Sequence, residues 1–148
     1  MYKRILIVVD DEPATQAAIE QGVEIARVHH AEVMFVYVLP TFNYPITDVP
    51  SVGMLSEEQF YHQAREGAAR ALSTATARAE AADVFSIRVI AAAEHAAVYV
   101  AEEARRRCCD LIVVATEGRN ALMRVLTGSI VPGLITNATT PVMVCPLR

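Results

Sequence analysis

The pair Gly128-Ser129 carries the most specific chemical signal in this sequence, because it directly precedes a predicted helix. Glycine lets a ligand approach the backbone, and the free N–H groups and dipole of a helix N-terminus favour an anion such as phosphate. Gly118 supplies a second flexible backbone point, and Arg119 and Arg124 could add positive charge. The same pair is also a common helix cap. The pattern therefore leaves two interpretations open, a phosphate site and an ordinary cap.

Carboxylates form the second group of candidate residues. Asp10, Asp11 and Glu12 follow the first predicted strand, Glu94 follows the third, and Glu117 follows the fourth. Because ligands bind parallel sheets at the carboxyl ends of the strands, we expect these side chains near the mouth of one crevice. A phosphate-bearing ligand would meet their negative charge there, unless several of the carboxylates point into solvent.

Short apolar runs predict the strands that position these residues. Ile5–Val9, Val33–Leu39 and Leu111–Ala115 lack polar alternation, which is typical of parallel strands covered on both faces. Phe85–Ile90 and Val142–Cys145 are shorter candidates of the same kind.

Four helical patterns separate these runs. The first follows Pro13, the second opens with a capping box at Ser56–Gln59, and the last contains Val131 and Ala138. The alternating order predicts the α/β class, with an open five-stranded parallel sheet and helices on both faces. One long irregular segment, Pro40–Met54, has the length of a binding loop or a mobile loop.

The composition narrows the class of protein. At 148 residues we expect a single domain over positions 1–148, and 53% hydrophobic with 20% charged residues excludes intrinsic disorder. A net charge of −4 argues against a nucleic-acid partner. The longest apolar run has seven residues, so we expect no membrane insertion. Three cysteines, an odd number, and no recognisable signal peptide predict a cytoplasmic protein.

Four segments of this chain resemble the universal stress protein family. Lys3–Asp10 resembles its opening strand and aspartate, Asp110–Ala115 its fourth strand, and Pro141–Val144 its closing strand. Gly118–Ile130 resembles the second part of its nucleotide motif, Gly-x2-Gly-x9-Gly-Ser/Thr. The resemblance spans the whole chain and implies a five-stranded parallel sheet between helices, with a homodimer formed through the last strand.

The resemblance also implies a set of nucleotide-binding residues. Some family members bind ATP and others do not. By position, Asp10 and Val38 would contact the adenosine of ATP, or of ADP or AMP. The phosphates would be held by Gly118, Arg119, Gly128 and Ser129, with Ala115 at the position of the first motif glycine.

Three departures from the family pattern bear on this site. Ala115 replaces the first motif glycine, Glu94 replaces a glycine, and Asp11-Glu12 replaces a Gly-Ser pair. A positive φ at Ala115 would cost about 1–2 kcal/mol, whereas a requirement for space alone would only crowd the phosphate. The excess of carboxylates predicts that Mg²⁺ enters with the nucleotide and bridges its phosphates to Asp10.

Two functions follow from these features. The first is an ATP-binding regulatory protein of the stress response, without a catalytic residue and with at most slow ATP hydrolysis. The alternative is a homodimeric interaction protein with a degenerate, empty site that acts through an unknown protein partner. A true enzyme, such as a metal-dependent hydrolase using the acidic loops, is less favoured because no Ser-His-Asp set or base partner for Asp10 is evident.

Overall fold

The protein alternates strands and helices along its length, as the sequence predicts. The computed structural model describes residues 1–42, 56–116 and 130–146. Within these ranges the elements are β1 (Arg4–Val8), α1 (Thr15–His29), β2 (Glu32–Leu39), α2 (Glu57–Ala81), β3 (Ser86–Ala92), α3 (Ala96–Arg106), β4 (Leu111–Thr116), α4 (Ile130–Asn137) and β5 (Val142–Pro146).

The strands form one parallel sheet in the order β3-β2-β1-β4-β5. From β1 the chain first adds strands on one side, through β2 and β3, and then adds β4 and β5 on the other side. The strand order therefore reverses between β1 and β4, and in such sheets the crevice at this switch point is where ligands bind.

Two layers of helices cover the sheet, and β1 contributes to both. Ile5, Ile7 and Val9 pack against α1 and α2, whereas Leu6 and Val8 pack against α3 and α4. All five side chains are buried. A strand covered on both faces needs apolar residues at every position, which explains the unbroken run and confirms the predicted fold class.

The ends of two helices follow local sequence signals. Ser56 Oγ accepts a hydrogen bond from the N–H of Gln59, and Gln59 Oε1 accepts one from the N–H of Ser56, so the predicted capping box is confirmed. At the end of α1, His30 adopts a left-handed conformation with φ 53°, a common C-terminal cap geometry.

Two predicted boundaries differ from the structure. The third strand runs over Ser86–Ala92 rather than Phe85–Ile90, and the Phe85 side chain is 68% exposed. β3 is an edge strand, so its apolar pattern is weaker and its limits depend on pairing with β2. Most of the irregular segment Pro40–Met54 lies outside the described residues.

α2 is the longest helix among the described residues, with 25 residues. Its buried positions are mostly alanines along one stripe, and the remaining faces carry charged and polar side chains. Within the described ranges, no helix combines the length and apolar character that a membrane crossing requires.

Gly22 allows α1 to lie close to the central strand. A Cβ atom at this position would lie 2.5 Å from Cδ1 and 2.9 Å from Cγ1 of Ile7, which is fully buried. Because real Cβ atoms do not approach other carbons this closely, a side chain here would push α1 away from the sheet or displace Ile7.

We predict that Gly22→Ala lowers the free energy of unfolding by about 1–2 kcal/mol, because overpacking outweighs the better helix propensity of alanine. Ile7→Val removes the nearest clashing carbon and by itself should cost about 1 kcal/mol. In urea denaturation the double variant should therefore lose less than the sum of the two single losses. Strictly additive losses would show that Gly22 and Ile7 do not compete for the same space.

Candidate functional site

Three side chains lie in one row at the carboxyl ends of the central strands. The registers Val8↔Val36 and Ile7↔Val113, continued past the end of β1, place Val38, Asp10 and Thr116 side by side. The hydrogen bond from Val9 N–H to Val36 O, at 2.9 Å, shows that the pairing with β2 extends beyond β1. We call these three residues the switch-point row.

Two residues of the switch-point row lie on the α3–α4 face of the sheet. Val38 is half-buried and packs against the cluster that this layer forms, together with Val8. Side chains alternate between the faces of a strand, so Thr116 continues the direction of Val114. Asp10 follows the end of β1, and its carboxylate contacts Thr15 at the start of α1. The row thus offers an apolar surface, a carboxylate and a hydroxyl at the point where the strand order reverses.

Hydrogen bonds from its own loop hold the Asp10 carboxylate. Its Oδ1 atom accepts one from the N–H of Glu12, at 2.9 Å, and one from the hydroxyl of Thr15. Thr15 is only 4% exposed, so this contact is shielded from water, whereas Asp10 itself is exposed. Oδ2 has no hydrogen-bond partner among the described residues. Asp10 therefore presents one oriented oxygen that can accept a hydrogen bond from a ligand.

Asp11 does not share this environment. The Tyr37 hydroxyl donates a hydrogen bond of 2.7 Å to Asp11 Oδ2, and the Tyr37 ring belongs to the α1–α2 side of the core. Burial raises the pKa of Tyr37 well above its ordinary value, and the hydrogen bond to Asp11 raises it further. Asp10 and Asp11 nevertheless line one pocket together with Glu12 and Arg70, which agrees with the expectation that they lie near one crevice mouth.

Ala115 lies in β4 opposite Cys145, and its methyl group packs against the α1–α2 layer. Among the described residues other than glycine, positive φ occurs at His30, Asp83 and Cys108 and not at Ala115. A strained backbone at Ala115 is therefore excluded. Its methyl group lies on the face of the sheet opposite Val38, and the expected crowding of the phosphates stays a prediction.

Thr116, and not Ala115, is the residue of β4 in the switch-point row. It is half-buried and is the last residue of β4. The alternation of Leu111, Val113 and Ala115 on one face is the sequence signal that could have identified Thr116. An unbroken apolar run hides this alternation, because both faces are buried.

The predicted phosphate-binding residues Gly118, Arg119, Gly128 and Ser129 lie outside the described residues, as does Glu117. The described part of α4 runs over Ile130–Asn137, so the position of Gly128-Ser129 before this helix stays a prediction. The roles of these four residues stay predictions.

A metal ion at this site would depend on the ligand that comes with it. No group of three or more His, Cys, Asp or Glu residues that could hold a metal ion occurs in the described ranges. Glu94 follows β3, which β2 separates from β1, so it is not a neighbour of Asp10 in the sheet. Asp10 has one free oxygen, and Mg²⁺ characteristically takes one or two carboxylates with phosphates and waters. Asp10 therefore fits a Mg²⁺ ion only if phosphates and water supply the remaining ligands.

The sequence and the fold both match known proteins. The model of the universal stress protein family matches residues 1–146. A universal stress protein of Methanocaldococcus jannaschii is 31% identical over 144 residues, which cover 97% of this chain and 82% of that protein.

Two crystal structures show the same fold. A protein of the universal stress protein family from Burkholderia pseudomallei superimposes with a TM-score of 0.78 and 25% identity, over 99% of this chain and 97% of that one. A family protein from Arabidopsis thaliana with AMP bound has a TM-score of 0.71, covering 99% of this chain and 92% of that chain. At 15% identity this second likeness concerns the fold alone.

We predict that Thr15→Val lowers the free energy of unfolding by about 1–2 kcal/mol, because Asp10 loses a shielded hydrogen bond. Thr76→Val is the matched control, since Thr76 is a half-buried threonine in α2 whose hydroxyl bonds only the backbone oxygen of Leu72. Urea denaturation of both variants measures the difference. A loss no larger for Thr15→Val than for Thr76→Val would contradict the role assigned to the Thr15 hydroxyl.

Proposed function

The chain belongs to the universal stress protein family, and from this premise we propose that it binds an adenine nucleotide between β1 and β4 and acts as a nucleotide-dependent regulatory protein of the stress response. The observation that carries the proposal is the switch-point row, in which Asp10 presents a free and oriented oxygen beside the apolar Val38. The AMP-bound relative supports the choice of an adenine nucleotide.

The row suits the adenosine half of the ligand. Val38 offers an apolar surface to the base or the ribose, and Asp10 Oδ2 accepts a hydrogen bond from a ribose hydroxyl or from the amino group of adenine. Thr116 adds a hydroxyl that can donate or accept. A rigid row of this kind favours binding, because its atoms need little reorganisation when the ligand enters.

The phosphates are assigned to the segment that ends at α4. Gly118 and Gly128 would give the phosphates access to backbone N–H groups, Ser129 and the start of α4 would bond them, and Arg119 would balance their charge. ATP is the proposed ligand, with ADP or AMP as the alternatives. Mg²⁺ would neutralise part of the phosphate charge, with Asp10 as its carboxylate ligand instead of as an acceptor for adenosine.

The proposed role is regulation rather than catalysis. The sequence offers no base partner for Asp10 and no Ser-His-Asp set. Any ATP hydrolysis would therefore be slow. We assign residues 1–148 to one domain that acts in the cytoplasm and signals through a protein partner.

The proposed assembly is a homodimer through β5. This strand pairs with β4 on one side only and stands at the edge of the sheet order. Val142, Met143 and Val144 are half-buried in one copy of the chain. An edge strand leaves a row of N–H and C=O groups unpaired, and a second copy of the same strand satisfies them.

Calorimetric titration with AMP, ADP and ATP tests nucleotide binding. We expect wild type to bind at least one of them and Gly128→Val to bind ATP at least tenfold more weakly, because a branched side chain blocks the approach to the backbone. We expect Ala115→Gly to tighten ATP binding about fivefold to tenfold, because it removes the methyl group at the position of the first motif glycine. Absence of binding, together with no thermal shift, would favour the alternative of a dimer with a degenerate site.

The contribution of Mg²⁺ is tested by repeating the ATP titration in EDTA. We expect weaker binding without Mg²⁺, and we expect Asp10→Asn to lose more affinity with Mg²⁺ than in EDTA, because an amide is a poor Mg²⁺ ligand. Equal ATP affinity of wild type in both conditions would remove Mg²⁺ from the proposal and leave Asp10 as a hydrogen-bond acceptor for adenosine.

Sedimentation equilibrium tests the dimer. We expect twice the chain mass of 16.1 kDa at micromolar concentration. Val144→Pro removes an N–H group from the proposed pairing strand and should shift the equilibrium towards the monomer. A wild-type mass near one chain at this concentration would contradict the assembly.

A further inference from the structure

Two sets of hydrogen bonds hold the loop between β1 and α1. Thr15 and the N–H of Glu12 hold Asp10, as described above. The Tyr37 hydroxyl of β2 holds Asp11. Tyr37 is 6% exposed and lies in β2, so its hydroxyl is a fixed donor and Asp11 is tied to the neighbouring strand.

Gly67 of α2 gives the Asp11 carboxylate its space. A Cβ atom at position 67 would lie 2.9 Å from Asp11 Oδ2 and 3.4 Å from Oδ1. Glycine in a helix interior is unfavourable. Gly67 nevertheless lies on the buried face of α2, whose other buried positions are mostly alanines. The loop thus carries a side chain where the family usually has glycine, and the helix above it carries glycine where a side chain would collide.

We propose that Asp11 is a positioning residue for the nucleotide site. Its hydrogen bond from Tyr37 fixes the backbone after β1, and this holds Asp10, the next residue back, where Thr15 and the N–H of Glu12 orient its carboxylate. Loss of the Asp11 anchor lets the loop rotate and reduces the fraction of molecules in which Asp10 Oδ2 is aimed at the ligand. The inference rests on the proposed function, because Asp10 is its point of action.

Tyr37→Phe is the direct test, because it removes only the donor hydroxyl and keeps the buried ring. We expect AMP affinity, measured by calorimetry, to fall about fivefold, the effect of one lost hydrogen bond of ordinary strength. We also expect faster amide hydrogen exchange at Glu12 in the nucleotide-free protein, because the bond that its N–H donates to Asp10 opens more often. Tyr99→Phe is the matched control, a half-buried tyrosine of α3 on the other layer, and should change neither.

A double-variant cycle separates positioning from general loss of stability. If Tyr37 acts through Asp10, Tyr37→Phe should lower AMP affinity in wild type but have no further effect in the Asp10→Asn background. An equal loss of affinity in both backgrounds would overturn the positioning role.

Gly67→Ala tests the same contact from the helix. Its methyl group should displace the Asp11 carboxylate and lower AMP affinity several-fold when Asp11 is present. In an Asp11→Gly background the methyl group has room, so Gly67→Ala should leave AMP affinity unchanged and raise the melting temperature, as alanine favours the helix. The same loss of affinity with and without Asp11 would contradict the proposal.

The two hypotheses fail in different ways. If the wild-type protein binds none of AMP, ADP and ATP, the proposed function is wrong and the positioning role is wrong with it. If wild type binds AMP and Tyr37→Phe binds it equally well, only the positioning role is overturned.

Discussion

The rest of this structure depends on the burial of β1 on both faces. β1 is the central strand of the sheet, and its apolar residues contribute to the cores of both helix layers. Because β1 also pairs with β2 on one side and β4 on the other, it sets the register of the strands that flank the crevice. A shift of one residue in β1 would exchange its two faces and would move Asp10 out of the switch-point row.

The loop that follows β1 holds two adjacent carboxylates. Asp10 and Asp11 line one pocket together with Arg70, yet Asp10 bonds Thr15 and the N–H of Glu12, whereas Asp11 bonds Tyr37. Each carboxylate thus has hydrogen-bond donors of its own.

Contacts on one face of the sheet explain two departures from the family pattern. Ala115 stands where the motif has its first glycine, but its φ is ordinary and its methyl group packs in the α1–α2 layer. Asp11 stands where the family usually has glycine, and Gly67 of α2 leaves room for it. Ala115 therefore lies on the opposite face of the sheet from Val38.

The sequence by itself determined the class of the fold, the order of its elements and the family. Unbroken apolar runs such as Ile5–Val9 and the capping box at Ser56 are local signals, and the structure confirms both. Asp10 and Val38 were identified through the family resemblance, and their roles stay predictions. The tertiary structure alone decided the directions of Asp11, Ala115 and Thr116. In strands buried on both faces the residue types do not reveal which face a side chain takes, and only the packing of two different helix layers distinguishes them.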